Sequence, residues 1–418
     1  MSSSASGSPT GEGARKNRTW HTLSGQKHLL AVAHTVTYAK RLLEVLKLVE
    51  TDFRIQTHFT VPPHVFGGQV PAFLAELGIE VLPWAEATRR PFDLALAAGP
   101  RGVHEVQAPL VALPHGAAYV KRLTGYGPHE DGIAGLRRRD IMPDGRTLPA
   151  ALVVSHAADL HELAQSCPEA LPVARVVGDP VYDRIAAALP RRAAHREALG
   201  LDEDQELLVF VSTWGPNSSF GRIENLLPRL AAELDPTRFR TAVLLHPNVY
   251  AGHGRWQVAG WLSLSARRGT AVVPPEADWR SVLIAADYVL GDHGSVTTYA
   301  TLTNAPILLA SSPQQEINPA SPAATLALTA PTLSPGHPLE EQLGFAAREY
   351  RREEYAAIAS RITSHPGEFN RRMRDVLYAQ LGLGRPAYEP ETVPLPLPPR
   401  LPGPPGLDGP GAWGLMSA

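Results

Sequence analysis

Short apolar runs alternate along the chain with longer stretches whose apolar residues recur at helical spacing. From His28 onward this pattern predicts a series of strands separated by helices. The predicted strands of the first half are His28–His34, Phe53–Phe59, Ile79–Leu82, Phe92–Ala97, Leu110–Leu113, Leu152–Ser155 and Val173–Val177, and the helices include Thr35–Val49, Val70–Leu77 and Ala157–Gln165. Such alternation predicts a parallel sheet covered by helices on both faces.

The pattern begins again after a basic helix over Arg191–Gly200. The predicted strands of this half are Leu207–Ser212, Phe239–Leu245, Ala271–Val273, Tyr288–Leu290 and Pro306–Leu309, and the helices are Ile223–Leu234, Trp256–Leu264, Trp279–Ala285 and Ser295–Leu302. These elements predict a second doubly wound sheet. Helices over Glu340–Ile362 and Glu368–Leu381 follow, and we expect the last helix to cross back onto the first lobe.

The length of 418 residues fits two α/β lobes better than a single core. We expect a disordered leader (1–20), a first Rossmann-like lobe that binds the acceptor of any reaction (21–185), a second lobe with the terminal helices (186–382), and a disordered proline-rich tail (383–418). Open parallel sheets bind ligands beyond the carboxyl ends of their strands, so a cleft between the two lobes is the expected site.

Composition narrows the classes of protein that fit. A net charge of −2 gives no general attraction for nucleic acid, so no nucleic-acid partner is expected. The single cysteine excludes an intrachain disulfide and a cysteine-rich zinc site, and we expect neither a metal nor a cofactor. No apolar run is long enough to span a bilayer, and residues 1–18 lack the apolar core of a signal peptide, so we expect a cytoplasmic protein. The glycine-rich motifs of dehydrogenases and P-loop NTPases are absent, as are the common hydrolase and metalloprotease motifs.

Two histidines follow predicted strands, one in each half. His115 precedes Gly116 at the end of Leu110–Leu113, and His246 precedes a proline at the end of Phe239–Leu245. An imidazole titrates near neutrality, so His115 is a candidate general base and His246 a candidate ligand for a diphosphate. The alternative for each is a histidine in a surface or packed turn.

A third strand, Tyr288–Leu290, ends in a run of small and polar residues that leads directly into a helix. Free backbone N–H groups at a helix start attract phosphate, so we assign phosphate binding to four residues of this run, Asp292, Gly294, Ser295 and Thr297. Simple capping of the helix by Asp292 or Ser295 is the alternative. We also assign Gly178, Thr213 and Trp214, in turns after two other strands, to nucleotide binding.

The order of these turns resembles the CDP-glycerol glycerophosphotransferase family of teichoic-acid synthesis, whose members are GT-B-type transferases. The matching pieces are His115-Gly116, Gly178-Asp179-Pro180-Val181-Tyr182-Asp183, Thr213-Trp214, Leu245-His246-Pro247 and Asp292-His293-Gly294-Ser295-Val296. The chain departs from the family pattern at Ala117-Ala118, where Thr-Pro is usual, and at His293-Gly294, where Tyr and Ser are usual.

The resemblance implies a GT-B-like fold and an enzyme that transfers a glycerol-phosphate unit from a cytidine diphosphate donor to a hydroxyl group. It implies a lipid-linked or polymeric acceptor, as in cell-wall polymer synthesis, with His115 as base and His246 beside the diphosphate. Two alternatives remain, a nucleotide-sugar glycosyltransferase and a non-catalytic scaffold of the same fold. A lipid-linked acceptor would bring the protein to the inner face of the membrane, where the arginines of Gly135–Asp140 could meet anionic headgroups.

Overall fold

A computed structural model of the chain describes residues 22–123, 131–146 and 148–402, so the predicted leader and the end of the predicted tail lie outside the described residues. The strands are β1 Lys27–Val32, β2 Ile55–Thr60, β3 Val81–Leu82, β4 Leu94–Ala97, β5 Leu110–Ala112, β6 Arg122–Leu123, β7 Gly132–Ile133, β8 Pro149–Val154, β9 Ala174–Val176, β10 Glu206–Ser212, β11 Phe239–Leu245, β12 Ala271–Val273, β13 Tyr288–Gly291 and β14 Ile307–Leu309. The helices are α1 Val36–Leu46, α2 Val70–Glu76, α3 Trp84–Ala87, α4 Arg138–Ile141, α5 Asp159–Ser166, α6 Pro180–Ala188, α7 Arg192–Leu199, α8 Ile223–Ala232, α9 Pro247–His253, α10 Arg255–Arg267, α11 Trp279–Leu283, α12 Ser295–Ala300, α13 Pro322–Thr329, α14 Leu339–Glu349, α15 Arg352–Ser360 and α16 Phe369–Leu381.

The first lobe is built on a 7-stranded sheet with the order β3-β2-β1-β4-β5-β8-β9, and every pairing in it is parallel. The interior strand β1 is buried from Leu29 to Val32 because helices cover both faces of the sheet. Helix α1 follows it and begins where the Thr35 hydroxyl accepts a hydrogen bond from the Tyr38 N–H. This cap places the first turn of α1 beyond the carboxyl end of the sheet.

The second lobe carries a 5-stranded parallel sheet with the order β12-β11-β10-β13-β14. Strand β10 (ELLVFVS) lies in its centre and is buried from Leu207 to Ser212. All strands expected in this half are present. The prediction of two Rossmann-like lobes is therefore confirmed.

The terminal helices differ from the prediction in one respect. The single helix expected over Glu340–Ile362 is two helices, because the backbone at Tyr350 is extended (φ −59°, ψ 126°) and ends α14 before α15 begins. The Tyr350 ring packs on Tyr355, with the ring centroids 4.7 Å apart. Helix α16 does cross back onto the first lobe, where Met373 and Leu377 join the core around β1.

The prediction of a disordered tail from residue 383 is wrong for residues 383–402. Leu395 and Leu401 are buried in the core of the second lobe, and the Leu401 N–H donates to the Leu199 carbonyl. The Ser281 hydroxyl donates to the Pro396 carbonyl at 2.7 Å. Proline fixes the backbone without helix or sheet pairing, and leucines spaced between the prolines supply the apolar contacts that hold the segment.

Candidate functional site in the cleft between the lobes

A cleft with a cavity volume of about 1380 Å³ lies between the two lobes. The turns that follow β1, β5, β10, β11, β12 and β13 all contribute residues to its lining, as open parallel sheets lead one to expect. The tail also contributes, through residues 393–397. Of the sequence-predicted site residues, the structure brings His115, Thr213, Trp214, His246, Gly294 and Ser295 together in this lining.

The His115-Gly116 turn of the first lobe touches the start of helix α12 in the second. A Cβ atom on Gly116 would lie 2.3 Å from Ser295 Oγ, so any larger residue would force the Ser295 side chain or the turn to move. The His115 ring packs beside Tyr38, with the centroids 4.5 Å apart, and keeps one face open to the cleft. The glycine after the histidine thus sets the distance between the first lobe and α12.

His115 is exposed to the cleft, but the cleft walls displace bulk water around it and so lower its pKa to about 4, and the nearby charges of Arg41 and Lys121 act in the same direction. The ring is therefore neutral at physiological pH. The backbone of Ala98 opposes the shift. A neutral imidazole carries one N–H and one unprotonated nitrogen, and the unprotonated nitrogen can accept a proton.

His246 caps helix α9 with its side chain. Its Nδ1 accepts a hydrogen bond from the Asn248 N–H at 3.1 Å. Burial lowers the pKa of His246 to about 3, and protonation of the neighbouring His115 and the charges of Lys121 and Lys40 act in the same direction, so the His246 ring is also neutral. Because Nδ1 is the acceptor, the single proton of the neutral ring must be on Nε2. His246 therefore has an N–H donor for a ligand without carrying a charge.

Asp292 does not face the cleft, which corrects its assignment to phosphate binding. Its carboxylate accepts hydrogen bonds from the backbone N–H groups of Thr213, Ser219 and Gly294 at 2.8 to 3.2 Å, and the residue is 1% exposed. These bonds tie the turn after β13 to the turn after β10. Asp292 thus positions Thr213 and Trp214 in the cleft wall and is not available to a ligand.

The predicted phosphate-binding residues of helix α12 lie on two different faces of the helix. Ser295, Val296 and Tyr299 line the cleft, whereas Thr297 is fully buried on the other side of the helix. The Thr297 hydroxyl packs against Gly291, where an added Cβ would lie 2.4 Å from Thr297 Oγ1. The assignment of Thr297 to phosphate binding is therefore wrong. A Cβ on Gly294 would lie 2.9 Å from Thr213 Cβ, so the close approach of the two turns requires glycine there.

Gly178 lies at the junction of the lobes and does not line the cleft. Its backbone has φ +106°, and an added Cβ would meet Thr363 Oγ1 at 3.0 Å and the His365 carbonyl at 3.3 Å. Its assignment to nucleotide binding is corrected to a role in the turn before α6. The next residue, Asp179, is fully buried, accepts a hydrogen bond from the Tyr299 hydroxyl at 2.8 Å and lies 3.5 Å from an Arg41 nitrogen.

Charged residues of α1 also hold the lobes together, and the sequence patterns missed them. Lys40 Nζ donates to three carbonyls in the turn after β12, those of Pro275, Glu276 and Ala277, at 2.6 to 3.2 Å. Glu44 forms ion pairs with Arg184 and, across the lobes, with Arg280. Helical spacing marks these positions only as polar, so the sequence offered no signal that they contact the other lobe.

Lys121 and Trp214 form another contact across the cleft. Lys121 Nζ lies 4.1 Å from the centre of the Trp214 ring, a cation–π distance, and Trp214 packs edge-on against Phe66 of the first lobe. Burial lowers the pKa of Lys121, whereas the negative charges of Glu316 and Asp292 act to raise it. The Lys121 ammonium lies close enough to both histidines that its charge lowers the pKa of each.

The arginine-rich stretch expected to meet a membrane is engaged in ion pairs. Arg137 pairs with Asp140 at 2.7 Å and Arg138 with Glu169 at 2.6 Å. It is therefore not a group of free cations. Among the described residues, no helix has both the length and the apolar character needed to cross a bilayer.

Comparison with known proteins shows the fold. No protein-family model matches the sequence, and a search of curated proteins also finds no match. Among solved structures, the wall teichoic acid polymerase TagF is 12% identical and has a TM-score of 0.59, covering 86% of this chain and 90% of TagF. A TagF variant soaked with CDPG has a TM-score of 0.60 at 11% identity and the same coverage. MnaA of S. aureus in complex with UDP has a TM-score of 0.50 at 14% identity, covering 88% of this chain and 99% of MnaA. The chain thus has the two-lobed GT-B-like fold that the motif order suggested.

Proposed function

We propose that this protein is a group transferase that binds a nucleotide-diphosphate donor in the cleft and transfers a glycerol-phosphate or sugar unit to a hydroxyl acceptor. The observation that carries the proposal is the meeting of two neutral histidines from opposite lobes, His115 and His246, in one cleft that also holds Lys121. In the proposed arrangement the first lobe (21–185) binds the acceptor and the second (186–382) binds the donor.

His115 is the proposed general base. For a glycerol-phosphate donor, the acceptor oxygen attacks the phosphorus that carries glycerol and the bond from that phosphorus to the bridging oxygen breaks. The acceptor proton passes to the free nitrogen of His115, and the nucleoside monophosphate leaves with the electron pair. The lowered pKa of His115 keeps the ring deprotonated before the reaction but also makes it a weaker base than an ordinary histidine, so we expect its contribution to lie at the lower end of the roughly 10²–10⁴ in rate that a positioned base supplies.

His246, Lys121 and Ser295 are proposed to hold the diphosphate. The Nε2–H of His246 donates to a phosphate oxygen, and the ammonium group of Lys121 balances the charge that develops on the leaving group. Ser295 is the first residue of α12. No side chain caps the start of this helix, because its N-cap residue is Gly294. A donor at this position lies between both lobes, so transfer occurs across the cleft.

The structures of similar fold support a nucleotide ligand and leave two donor classes. TagF was soaked with CDPG, and MnaA was solved with UDP. We propose a cytidine diphosphate donor first, because the motif order matches that family, and a uridine diphosphate sugar as the second candidate. A lipid-linked or polymeric acceptor is part of the same proposal.

A thermal-shift panel tests the proposal. CDP-glycerol, CDP-ribitol, UDP-sugars and free nucleotides are each added to the full chain. A ligand present at 100 times its Kd stabilises the folded state by about 2.7 kcal/mol, so a true donor raises the melting temperature measurably. We expect one diphosphate class to do so, and His115→Gln to keep that shift while losing turnover. A flat response to every nucleotide overturns the proposal and favours a non-catalytic protein.

A further inference from the structure

His293 lies in the turn between β13 and α12, at a position where the sequence departs from the family pattern. The residue lines the cleft and is 9% exposed. Its neighbours on both sides are fixed, because the Asp292 carboxylate accepts a hydrogen bond from the Gly294 N–H at 3.0 Å and Gly294 packs against Thr213. The imidazole therefore has a defined place in the cleft wall, and none of the proposed steps of the transfer uses it.

The two ring nitrogens of His293 are buried, and neither has a hydrogen-bond partner among the described residues. Buried polar atoms in native proteins nearly always have a partner, because the loss of hydration is otherwise not offset. An imidazole without one in the wall of a ligand cleft indicates that the ligand supplies the partner.

The carboxylate of Glu316 determines which nitrogen of His293 carries the proton. Glu316 Oε2 lies 3.3 Å from His293 Nε2, and the other carboxylate oxygen accepts a hydrogen bond from Asn217 Nδ2. An unprotonated Nε2 would direct its lone pair at the carboxylate, so the proton is on Nε2. Burial lowers the pKa of His293 against the opposing charges of Asp292 and Glu316, so the ring is neutral and Nδ1 is unprotonated.

An unprotonated Nδ1 accepts a hydrogen bond, and this property selects the chemistry of its partner. Phosphate oxygens are acceptors too, so Nδ1 would repel them, whereas a hydroxyl group donates and fits. His246 has the opposite character, because the Asn248 N–H occupies its Nδ1 and its Nε2–H remains as a donor. His246 thus suits a phosphate oxygen, and His293 suits a hydroxyl group.

The charge of Lys121 shows that His293 lies near the reacting groups. It lowers the pKa of His293, and it also lowers the pKa values of His115 and His246, so all three rings lie around one ammonium group. His115 is the proposed base and therefore marks the reacting end of the donor. The part of the donor that lies beside His293 is then the transferred unit, with the nucleoside on the other side of the diphosphate.

We propose that His293 is a specificity-determining residue whose Nδ1 accepts a hydrogen bond from a hydroxyl group of the transferred unit. Glu316 is a positioning residue that keeps the His293 ring in the required tautomer. This inference rests on the proposed transfer reaction and adds to it the recognition of the transferred unit. Glycerol phosphate and sugars both carry such hydroxyl groups, so the pair selects a polyol unit in either class of donor.

Titration calorimetry on the full chain tests the role of His293. The probes are CDP-glycerol and UDP-glucose, each compared with CDP or UDP, which lack the transferred unit. His293→Phe removes the acceptor and should weaken binding of the donor about ten-fold, with wild-type affinity for CDP or UDP. His293→Asn is the matched variant, because its side-chain oxygen replaces Nδ1 as an acceptor, and it should bind the donor within about three-fold of the wild type.

Glu316→Gln tests the tautomer with the histidine in place. Glutamine has one acceptor oxygen, which stays with Asn217, so its NH₂ group faces Nε2 and the ring proton moves to Nδ1. Donor affinity should then fall about ten-fold, as in His293→Phe. Long-range ¹H–¹⁵N NMR spectra of the ¹⁵N-histidine-labelled chain should show the His293 proton on Nε2 in the wild type and on Nδ1 in this variant; the His293 signals are those missing from His293→Asn.

Four results overturn the inference. They are equal donor affinity in the wild type and His293→Phe, equal losses in His293→Phe and His293→Asn, a loss that extends to CDP or UDP, and a proton on Nδ1 in the wild type. Wild-type affinity of Glu316→Gln overturns the role of Glu316. Donor binding that does not depend on His293 rejects this inference alone, whereas a wild type that binds no nucleotide rejects the transferase proposal and this inference with it.

Discussion

Gly116→Ala is the substitution that tests most sharply how the two lobes meet. The added methyl group would lie 2.3 Å from Ser295 Oγ and 3.2 Å from Ser295 Cβ. Non-bonded heavy atoms are at their optimum near 3.5 Å, so the His115 turn and α12 must separate by about 1 Å unless the hydroxyl rotates away. Either response moves the proposed base or the proposed phosphate ligand.

The expected loss follows from that displacement. A misplacement of about 1 Å between reacting groups can lower the rate about a hundred-fold, which equals ~2.7 kcal/mol of transition-state stabilisation. The strain is confined to one contact between the lobes, so each lobe keeps its core. We therefore expect a large change in donor turnover and a small change in the melting temperature.

The assay is a double-mutant cycle on the initial rate of donor turnover. Ser295→Gly removes both atoms that the new methyl group would meet. In that background, Gly116→Ala should change the rate little, even though Ser295→Gly alone lowers it. An equal effect of Gly116→Ala in both backgrounds, or a wild-type rate for the single variant, refutes the account of this contact.

Three further predictions concern pH, a buried carboxylate and the tail. Because the pKa of His115 is lowered to about 4, kcat/KM should stay level from pH 7 to pH 5 and fall only as the ring is protonated near pH 4. A fall in kcat/KM centred near pH 6.5 would instead show that His115 titrates as an ordinary, solvated histidine. Asp292→Ala leaves buried N–H groups unpaired at about 1–3 kcal/mol each, so urea unfolding should show a loss of at least ~3 kcal/mol. Asp235→Ala, which removes a carboxylate that accepts a hydrogen bond in an exposed turn, should cost about 1 kcal/mol, and equal losses would contradict the hydrogen bonds described. Leu395→Ala should lower the free energy of unfolding, measured in urea, by about 2–5 kcal/mol, whereas Leu397→Ala, at an exposed position, should lower it much less. Similar losses of unfolding free energy from both substitutions would show that the tail is not packed as described.

The sequence predicted the strands and the turns after them, because buried parallel strands are continuous apolar runs and the chemistry of such folds lies at strand ends. His115, His246, Ser295 and Trp214 were found in this way, and they do line one cleft. Spacing alone did not show which way a side chain points within a turn. Asp292 and Thr297 stand beside Ser295 in the sequence, yet one bonds to a neighbouring turn and the other is buried behind α12.

Contacts between distant segments left no local pattern to find. Lys40 and Glu44 look like the polar face of an ordinary helix, although both contact the second lobe. Leu395 and Leu401 stand among prolines that are typical of disordered tails, and only the surface they cover shows that they are core residues. The sequence therefore predicted the secondary structure of each segment well and the contacts between distant segments poorly.

Titration calorimetry with the donor is the most direct test of the central claim, that the cleft binds a nucleotide diphosphate through His246. His246→Asn keeps a side-chain acceptor for the Asn248 N–H and removes the Nε2–H that is proposed to bind phosphate. The control is His161→Asn on the exposed surface of α5. We predict one binding site for CDP-glycerol or a UDP-sugar in the wild type and in the control, and affinity at least about ten-fold weaker in His246→Asn, the size of one charge-assisted hydrogen bond. Equal affinity in all three proteins, or no binding of any nucleotide, would contradict the claim.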